Sequence, residues 1–327
     1  MKMKKTKIFI ALVLFLGTVL LVISVCKNKK DISNYELQEE HITVEVEGLE
    51  RAYKIAWVSD LHMISDTEPA EDVAKDQIET IRSRYESMFV TKEGIMSREL
   101  WPKIVAYLNE NEFDAVILGG DIMDYCSRKN LDAFNAYYEQ IKPPVMYIRS
   151  DHDYGWWYSG ETMKKTDAMK LHAAQIGDKD DMASMRLDFE GFTILGINRS
   201  CWNMSPKYLK WFERQYQKAV DDGKQVIIAT HVPYESKVDE SLQQFSMETR
   251  NKIYYWGGED YMPNEITGEF LDFIYAEDTA VSQILAGHMH ASWDGAITNE
   301  VSQHIFSPAY EGCIGVISVV PKEKLKK

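Results

Sequence analysis

Five times along this chain a short apolar run, of the kind that forms a buried strand, ends in a motif rich in aspartate or histidine. The motifs are Asp60-Leu61-His62, Gly119-Gly120-Asp121, Asp151-His152-Asp153, Thr230-His231-Val232-Pro233 and Gly287-His288-Met289-His290. One such pairing constrains little, because a lone aspartate after a strand is often a turn or cap residue. Five in order constrain a great deal. In open α/β sheets, ligands gather beyond the carboxyl ends of the strands. The motifs therefore predict one shared site assembled from distant segments. Oxygen and imidazole donors without thiolate suit manganese, iron or zinc. Two clustered divalent cations can turn water into a nucleophile near neutral pH.

The rest of the composition narrows the partners. The chain has 327 residues, enough for one large α/β domain or two small ones, and its apolar fraction of 45% can fill a sizeable core. Its 51 acidic against 37 basic residues leave a net charge of −14. Such a surface repels nucleic acid backbones, which need clustered Lys and Arg to release counterions, so no nucleic acid binding is expected. It also repels small phosphates unless local cations reverse the field at a site. No obligate protein partner is evident. Of four cysteines, Cys26 ends the first apolar segment, and Cys126, Cys201 and Cys313 follow no metal-finger spacing. A disulfide framework is not expected.

Residues 8–26 are almost wholly apolar, with Lys2, Lys4, Lys5 and Lys7 before them and Lys27, Lys29 and Lys30 after. A helix of this length nearly spans a bilayer core of about 30 Å. No small-x-small cleavage site closes the run. The segment 1–29 is read as an N-terminal membrane anchor, with a cleaved signal peptide and then a lipoprotein as the alternatives. The lysine excess of one on the N-terminal side places that end in the cytoplasm. The expected location is a single-pass cell-membrane protein with an extracytoplasmic domain.

Residues 30–40 read as a polar linker, and the folded domain as 41–327. Alternation predicts a strand over His41 to Glu47, and buried strands are predicted at Lys54 to Val58, Ala115 to Leu118, Val145 to Ile148, Gln225 to Ala229 and Val281 to Leu285. Arg186 to Phe189 and Phe192 to Ile197 read as a hairpin; Ile297 to Phe306 and Ile314 to Val320 read as closing strands. Helical spacing marks Arg98 to Asn109, Leu131 to Ile141, Thr162 to Gln175, Pro206 to Val220 and Ile266 to Tyr275. The expected fold class is α/β: a layered αββα sandwich of central mixed sheets flanked by helices, with an N-terminal transmembrane helix. Two connections are long enough to count as insertions, near 63–98 and 234–267. The second carries Tyr254, Tyr255, Trp256 and Tyr261, and reads either as a roof over the site or as a surface packing insert.

The ordered set D-x-H, G-D-x-x-D, x-H-D, H and G-H-x-H resembles the calcineurin-like metallophosphoesterase superfamily, over about Ile55 to His290. The resemblance implies two metal ions bridged by Asp121. Asp60, His62 and His290 would complete one site; Asp151, His231 and His288 would complete the other. Asp60 and His62 are two apart, so an extended chain would point them the same way, as it would His288 and His290. The resemblance also implies that His152 is the catalytic histidine beside the metals, and that Asp124 and Asp153 orient ligands from behind. The implied reaction is direct hydrolysis of a phosphoester by metal-activated water. His41, His172 and His304 match no motif, and Trp156 and Trp157 read as packing residues. Lys164-Lys165 reads as a solvated helix face. Arg149, at a strand end near the site, reads either as a phosphate contact or as a structural ion pair.

One position departs from the pattern. The superfamily has Gly-Asn-His-Asp where this chain has Ser150-Asp151-His152-Asp153. An asparagine ligates through its carbonyl oxygen and still donates an N–H; an ionised aspartate donates nothing. The substitution predicts tighter metal retention and weaker phosphate binding. It also supports an alternative function, a catalytically silent metal-binding domain that recognises a phosphorylated surface ligand.

Overall fold

The computed structural model describes residues 32–65, 74–155, 170, 185–198 and 200–322. The anchor segment 8–26, the expected helix over Thr162 to Gln175, Trp156, Trp157, Lys164, Lys165 and His172 lie outside them. Among the described residues no helix is long and apolar enough to cross a membrane.

Two mixed sheets form the centre. The strands are β1 (Gln38–Val46), β2 (Tyr53–Val58), β3 (Ala115–Leu118), β4 (Val145–Tyr147), β5 (Arg186–Asp188), β6 (Phe192–Ile197), β7 (Gln225–Thr230), β8 (Val281–Ala286), β9 (Trp293–Ala296), β10 (Ser302–Ile305) and β11 (Cys313–Pro321). The first sheet runs β1-β11-β2-β3-β4, and the second β5-β6-β7-β8-β10-β9. The strands that carry motifs are parallel neighbours: β2 with β3, β3 with β4, and β7 with β8. Their carboxyl ends therefore emerge together.

Alternation along each strand decides which layer a side chain joins. Ile55, Trp57, Ala115 and Ile117 point between the sheets and meet Ile194, Ile227 and Leu285 of the second sheet. Ala56, Val58, Val116 and Leu118 point outward. There they pack against helix α2 (Ser97–Glu110) through Leu100, Trp101, Ile104 and Leu108, and against α3 (Arg128–Tyr138) through Leu131 and Phe134. The outer face of the second sheet is covered by α4 (Pro206–Asp221) and α6 (Glu265–Tyr275), whose Phe212 and Phe270 meet edge to face at 4.8 Å. Ser205 caps α4, its hydroxyl accepting the Tyr208 N–H, and Pro206 opens the first turn. Two further helices, α1 (Ile78–Met88) and α5 (Ser241–Arg250), lie in the two long connections.

Three expectations need correction. The expected strand over 297–306 is only β10, which begins at Ser302 because Thr298 turns the chain ahead of it: its Oγ1 accepts from Val301 N at 3.0 Å, and the antiparallel partner β9 precedes the expected span. The helix α5 was not anticipated. The first strand begins at Gln38, so Glu40, read as linker, lies in β1. It also ties the sheets together. Its carboxylate accepts from His304 of β10 at 2.6 Å, from the Ser292 hydroxyl at 2.6 Å and from Ser307 N at 3.0 Å.

These contacts make a pH prediction. Burial alone would raise the Glu40 carboxyl, but the His304 and Ser292 hydrogen bonds outweigh it and hold the group at about 2. A depressed folded-state value stabilises the protein above the unfolded value near 4.5, and that contribution is lost as pH falls toward 2. Allowing for solvent screening of a partly exposed group, Glu40→Gln should cost about 1–2 kcal/mol at neutral pH. In urea unfolding the gap between the two proteins should close as pH drops through that window; a pH-independent gap would count against this role.

Candidate metal centre

Each motif sits at the carboxyl end of its strand, where the chain turns sharply. Asp60, His62, Asp121, His288 and His290 all have left-handed backbone, with φ of 54, 47, 53, 72 and 51°. Only two other non-glycine residues among those described share that region, Glu112 and Asn251. Such conformations cost about 1–3 kcal/mol each and persist where the surroundings fix them. The extended geometry expected for Asp60 with His62, and for His288 with His290, is therefore not the observed one. The pairs converge through left-handed kinks instead.

Cross-loop hydrogen bonds fix those kinks. Asp60 N donates to Gly120 O at 2.9 Å, His62 N to Asp121 O at 2.8 Å, and Gly287 N to His231 O at 3.0 Å. Glycine is needed at two of these positions. Gly120 has φ 95°, and a Cβ there would lie 2.7 Å from the His231 ring. A Cβ on Gly287 would lie 2.5 Å from an Asp60 carboxylate oxygen.

Asp60, His62, Asp121 and His290 bring one ligand atom each within 4.8 Å of one another. His62 Nε2 lies 3.1 Å from His290 Nε2 and 3.5 Å from Asp121 Oδ2. His290 Nε2 lies 3.4 Å from Asp60 Oδ1. The His62 Nδ1 contact with Asp124 Oδ1, at 3.1 Å, places a proton on Nδ1 and leaves a lone pair on Nε2. Asp121 Oδ2 also faces the second group: it is 3.3 Å from His231 Nε2, which lies 3.2 Å from His288 Nδ1. His231 Nδ1 donates to Gly119 O at 2.8 Å, so its Nε2 lone pair points into the cluster as well. Imidazole lone pairs facing each other beside carboxylates form a donor set that fits divalent cations. Asp121 stands between the two groups.

Asp151 is placed differently. It is half-buried and is not among the described residues whose ligand atoms converge with Asp60 and Asp121. Burial first, then the charge of Asp151, pushes the Cys201 thiol up. The neighbouring Ser150 donates a short hydrogen bond to Asp121 Oδ1. His152 donates from Nδ1 to the Asp124 backbone oxygen at 2.9 Å and packs edge-on against His62 at 4.6 Å.

The two supporting acids are both buried. Asp124 Oδ1 is shared by His62 Nδ1, His152 Nδ1 at 3.1 Å and Arg84 Nη2 at 3.3 Å. Asp153 accepts the backbone N–H groups of Asp121, Ile122 and Met123 at 3.0–3.1 Å and the Tyr147 hydroxyl at 2.7 Å. It therefore shapes the loop that presents Asp121.

Electrostatics favour added positive charge here. Burial would raise the Asp60, Asp121 and Asp124 carboxyls, yet the facing imidazoles hold all three well below the usual range. Burial opposes charge on His152 and His231 too, but Asp121 outweighs it and both rise to about 10. Burial lowers His290 to about 4 and pushes His288 down as well. The carboxylates thus draw protons into the cluster, and cations would meet the same demand.

Both long connections reach the site. Phe89 stacks on His62 at 4.2 Å, and Tyr254 stacks on His288 at 4.1 Å with Tyr261 edge-on at 5.2 Å. Of the two readings of the 234–267 segment, the roof is the one these contacts support. Sequence reasoning missed Arg84 and Arg250, one from each connection. No motif marks them; only their place beside ligand histidines does. His304, between Glu40 and Asp294, and His41, beside Glu39, lie in other ion pairs. Arg149 is buried, donating its backbone N–H to Asn198 Oδ1 at 2.9 Å.

The family model for calcineurin-like phosphoesterases matches residues 53–292. No curated protein matches the chain by sequence. Among solved structures, a dimetal phosphatase from Danio rerio is similar at 11% identity and a TM-score of 0.51, covering 79% of this chain and 88% of that one. A purple acid phosphatase from yellow lupin seeds is similar at 12% identity and a TM-score of 0.43, covering 86% and 47%. At 11% identity the likeness to the Danio rerio phosphatase is one of fold.

Proposed function

Because this chain belongs to the calcineurin-like phosphoesterase family, we propose that it hydrolyses phosphoester bonds at a site for two metal ions. The observation that carries the reading is Asp121 Oδ2, 3.5 Å from His62 Nε2 and 3.3 Å from His231 Nε2, set to serve both halves of the site. Asp60, His62 and His290 would hold one ion with Asp121. His231 and His288, with Asp151, would hold the other. Membership of the family supports a dinuclear site; manganese, iron and zinc all suit these donors. Two bound cations would supply a water of lowered pKa and positive charge at the phosphoryl oxygens.

The chain's own residues do the rest. Asp124 holds the His62 and His152 rings from behind. With Nδ1 of His152 bonded to Asp124, Nε2 is the atom that hands a proton to the leaving oxygen. Asp153 fixes the Asp121 loop, and Phe89, Tyr254 and Tyr261 wall the site against water.

Aryl phosphate mono- and diesters with added manganese test the reading. Turnover that vanishes with chelator and returns with metal is expected. Binding of a phosphorylated ligand with no turnover on either ester would instead favour the silent binding domain, which Asp151 keeps as the second reading. We also infer that residues 8–26 tether the domain outside the cytoplasmic membrane. Protease added to intact cells should then remove it; protection from protease would contradict that placement.

A further inference from the structure

The 234–267 connection delivers one more charged group. Arg250 ends helix α5, and Asn251 behind it takes left-handed backbone, φ 56°, that stops the helix there. The guanidinium donates from Nη2 to the His288 carbonyl oxygen at 2.7 Å and lies 5.5 Å from the Tyr254 ring centre. Its Nε is buried and has no hydrogen-bond partner. Arg51, Arg82, Arg84 and Arg186 each have a carboxylate in ion-pair reach. Among the described residues Arg250 has none within 4.0 Å.

A half-buried cation with no carboxylate partner among the described residues, set against the backbone of a ligand histidine, is an awkward arrangement. Its positive charge lies beside a group that is to hold a cation. The arrangement makes sense when an anion comes between. Tyr254 stacks on His288 at 4.1 Å with Arg250 5.5 Å from the same ring, so Arg250 borders the wall of the site. In the motif position beside His152, Asp151 brings negative charge and has no N–H to give a phosphate.

We propose that Arg250 is a substrate-binding residue, giving a phosphoryl oxygen an N–H donor and a positive charge at a site where Asp151, in the place the family pattern gives to asparagine, has no N–H to offer. The proposal rests on the phosphoesterase reading and names the group that grips the substrate's unesterified oxygen.

The test is inorganic phosphate binding to the manganese-loaded protein by calorimetry, with metal content and melting midpoint measured on every variant. Arg250→Ala should weaken phosphate binding about tenfold to a hundredfold, since hydrogen bonds to charged groups are among the stronger ones. Metal content should not change. In an Asp151→Asn background the amide donor is restored, and the same change should cost only about threefold, as expected of coupled sites. Should Arg250→Ala lose its fold or its metal, Arg250→Gln, which keeps a donor toward the His288 carbonyl, is read by the same criteria. Wild-type phosphate affinity in the variant, an equal loss in both backgrounds, or no phosphate binding by the parent protein would each overturn the proposal. Arg250-dependent phosphate binding by a protein that turns over no phosphoester would sink the hydrolytic reading and leave this contact standing.

Discussion

Asp121→Asn protein should purify with little metal at either position and with phosphoester turnover reduced by more than about 10³-fold. Changing an outer partner of a metal ligand already costs about 10–100-fold in affinity or activity, and a carboxylate shared by two ions should cost more. Asp121 is buried, and its Oδ2 faces His62 Nε2 and His231 Nε2 from between them. Asparagine keeps the shape, and the Asp153 contacts to the loop are made by backbone N–H groups that the change leaves alone. Fold should survive, so a melting curve close to the parent's is part of the expected result. Elemental analysis and an aryl phosphate assay read the outcome. Retention of a full metal complement would mean that Asp121 does not join the two groups.

His152→Ala should separate chemistry from metal binding. Its ring is bonded to Asp124 and packs on His62, and it lies outside the converging group of Asp60, His62, Asp121 and His290. Without it, Asp124 Oδ1 still has His62 Nδ1 at 3.1 Å and Arg84 Nη2 at 3.3 Å. The His62 ring therefore keeps its tautomer, and metal content should stay at the parent level. Proton donation to a leaving group contributes about 10²–10⁴-fold, so kcat should fall by that order with KM nearly unchanged. The fall should be smallest for aryl phosphates, whose leaving oxygens need a proton least. Equal turnover in variant and parent on an alkyl ester would remove His152 from the reaction.

Much of the fold was legible because its elements carry strong local signals. The apolar runs ending at Val58, Leu118 and Thr230 are buried on both faces, so they read as strands without ambiguity. The stripe of Leu100, Ile104, Val105 and Leu108 repeats at helical spacing and packs as one face. Where the signal was local but weak, the reading slipped. Residues Ser241 to Arg250 bury only Leu242 and Ser246, so no apolar stripe announces the helix. Trp293 to Ala296 is short and largely half-buried, so no alternating run announces it as a strand.

The site was legible in a different way. Asp60, His62, Asp121, His231, His288 and His290 do come together, as their strand ends implied. Their approach depends on left-handed kinks that spacing does not encode, and an extended chain was the wrong premise for that correct grouping. Asp151 shows the opposite case. Its place in the motif implied a ligand, but it is not among the described residues whose ligand atoms converge with Asp60 and Asp121. Glu40, Arg84 and Arg250 act through contacts 38 to 267 residues away in the chain, which no local pattern reveals.

The most direct test is the metal content of the full chain purified without chelator and then dialysed against manganese, zinc and ferrous iron in turn. The account predicts close to two ions per chain with at least one of these metals, dropping sharply in Asp121→Asn. A chain that holds no ion under any of these conditions, or one whose binding is indifferent to Asp121, would contradict it.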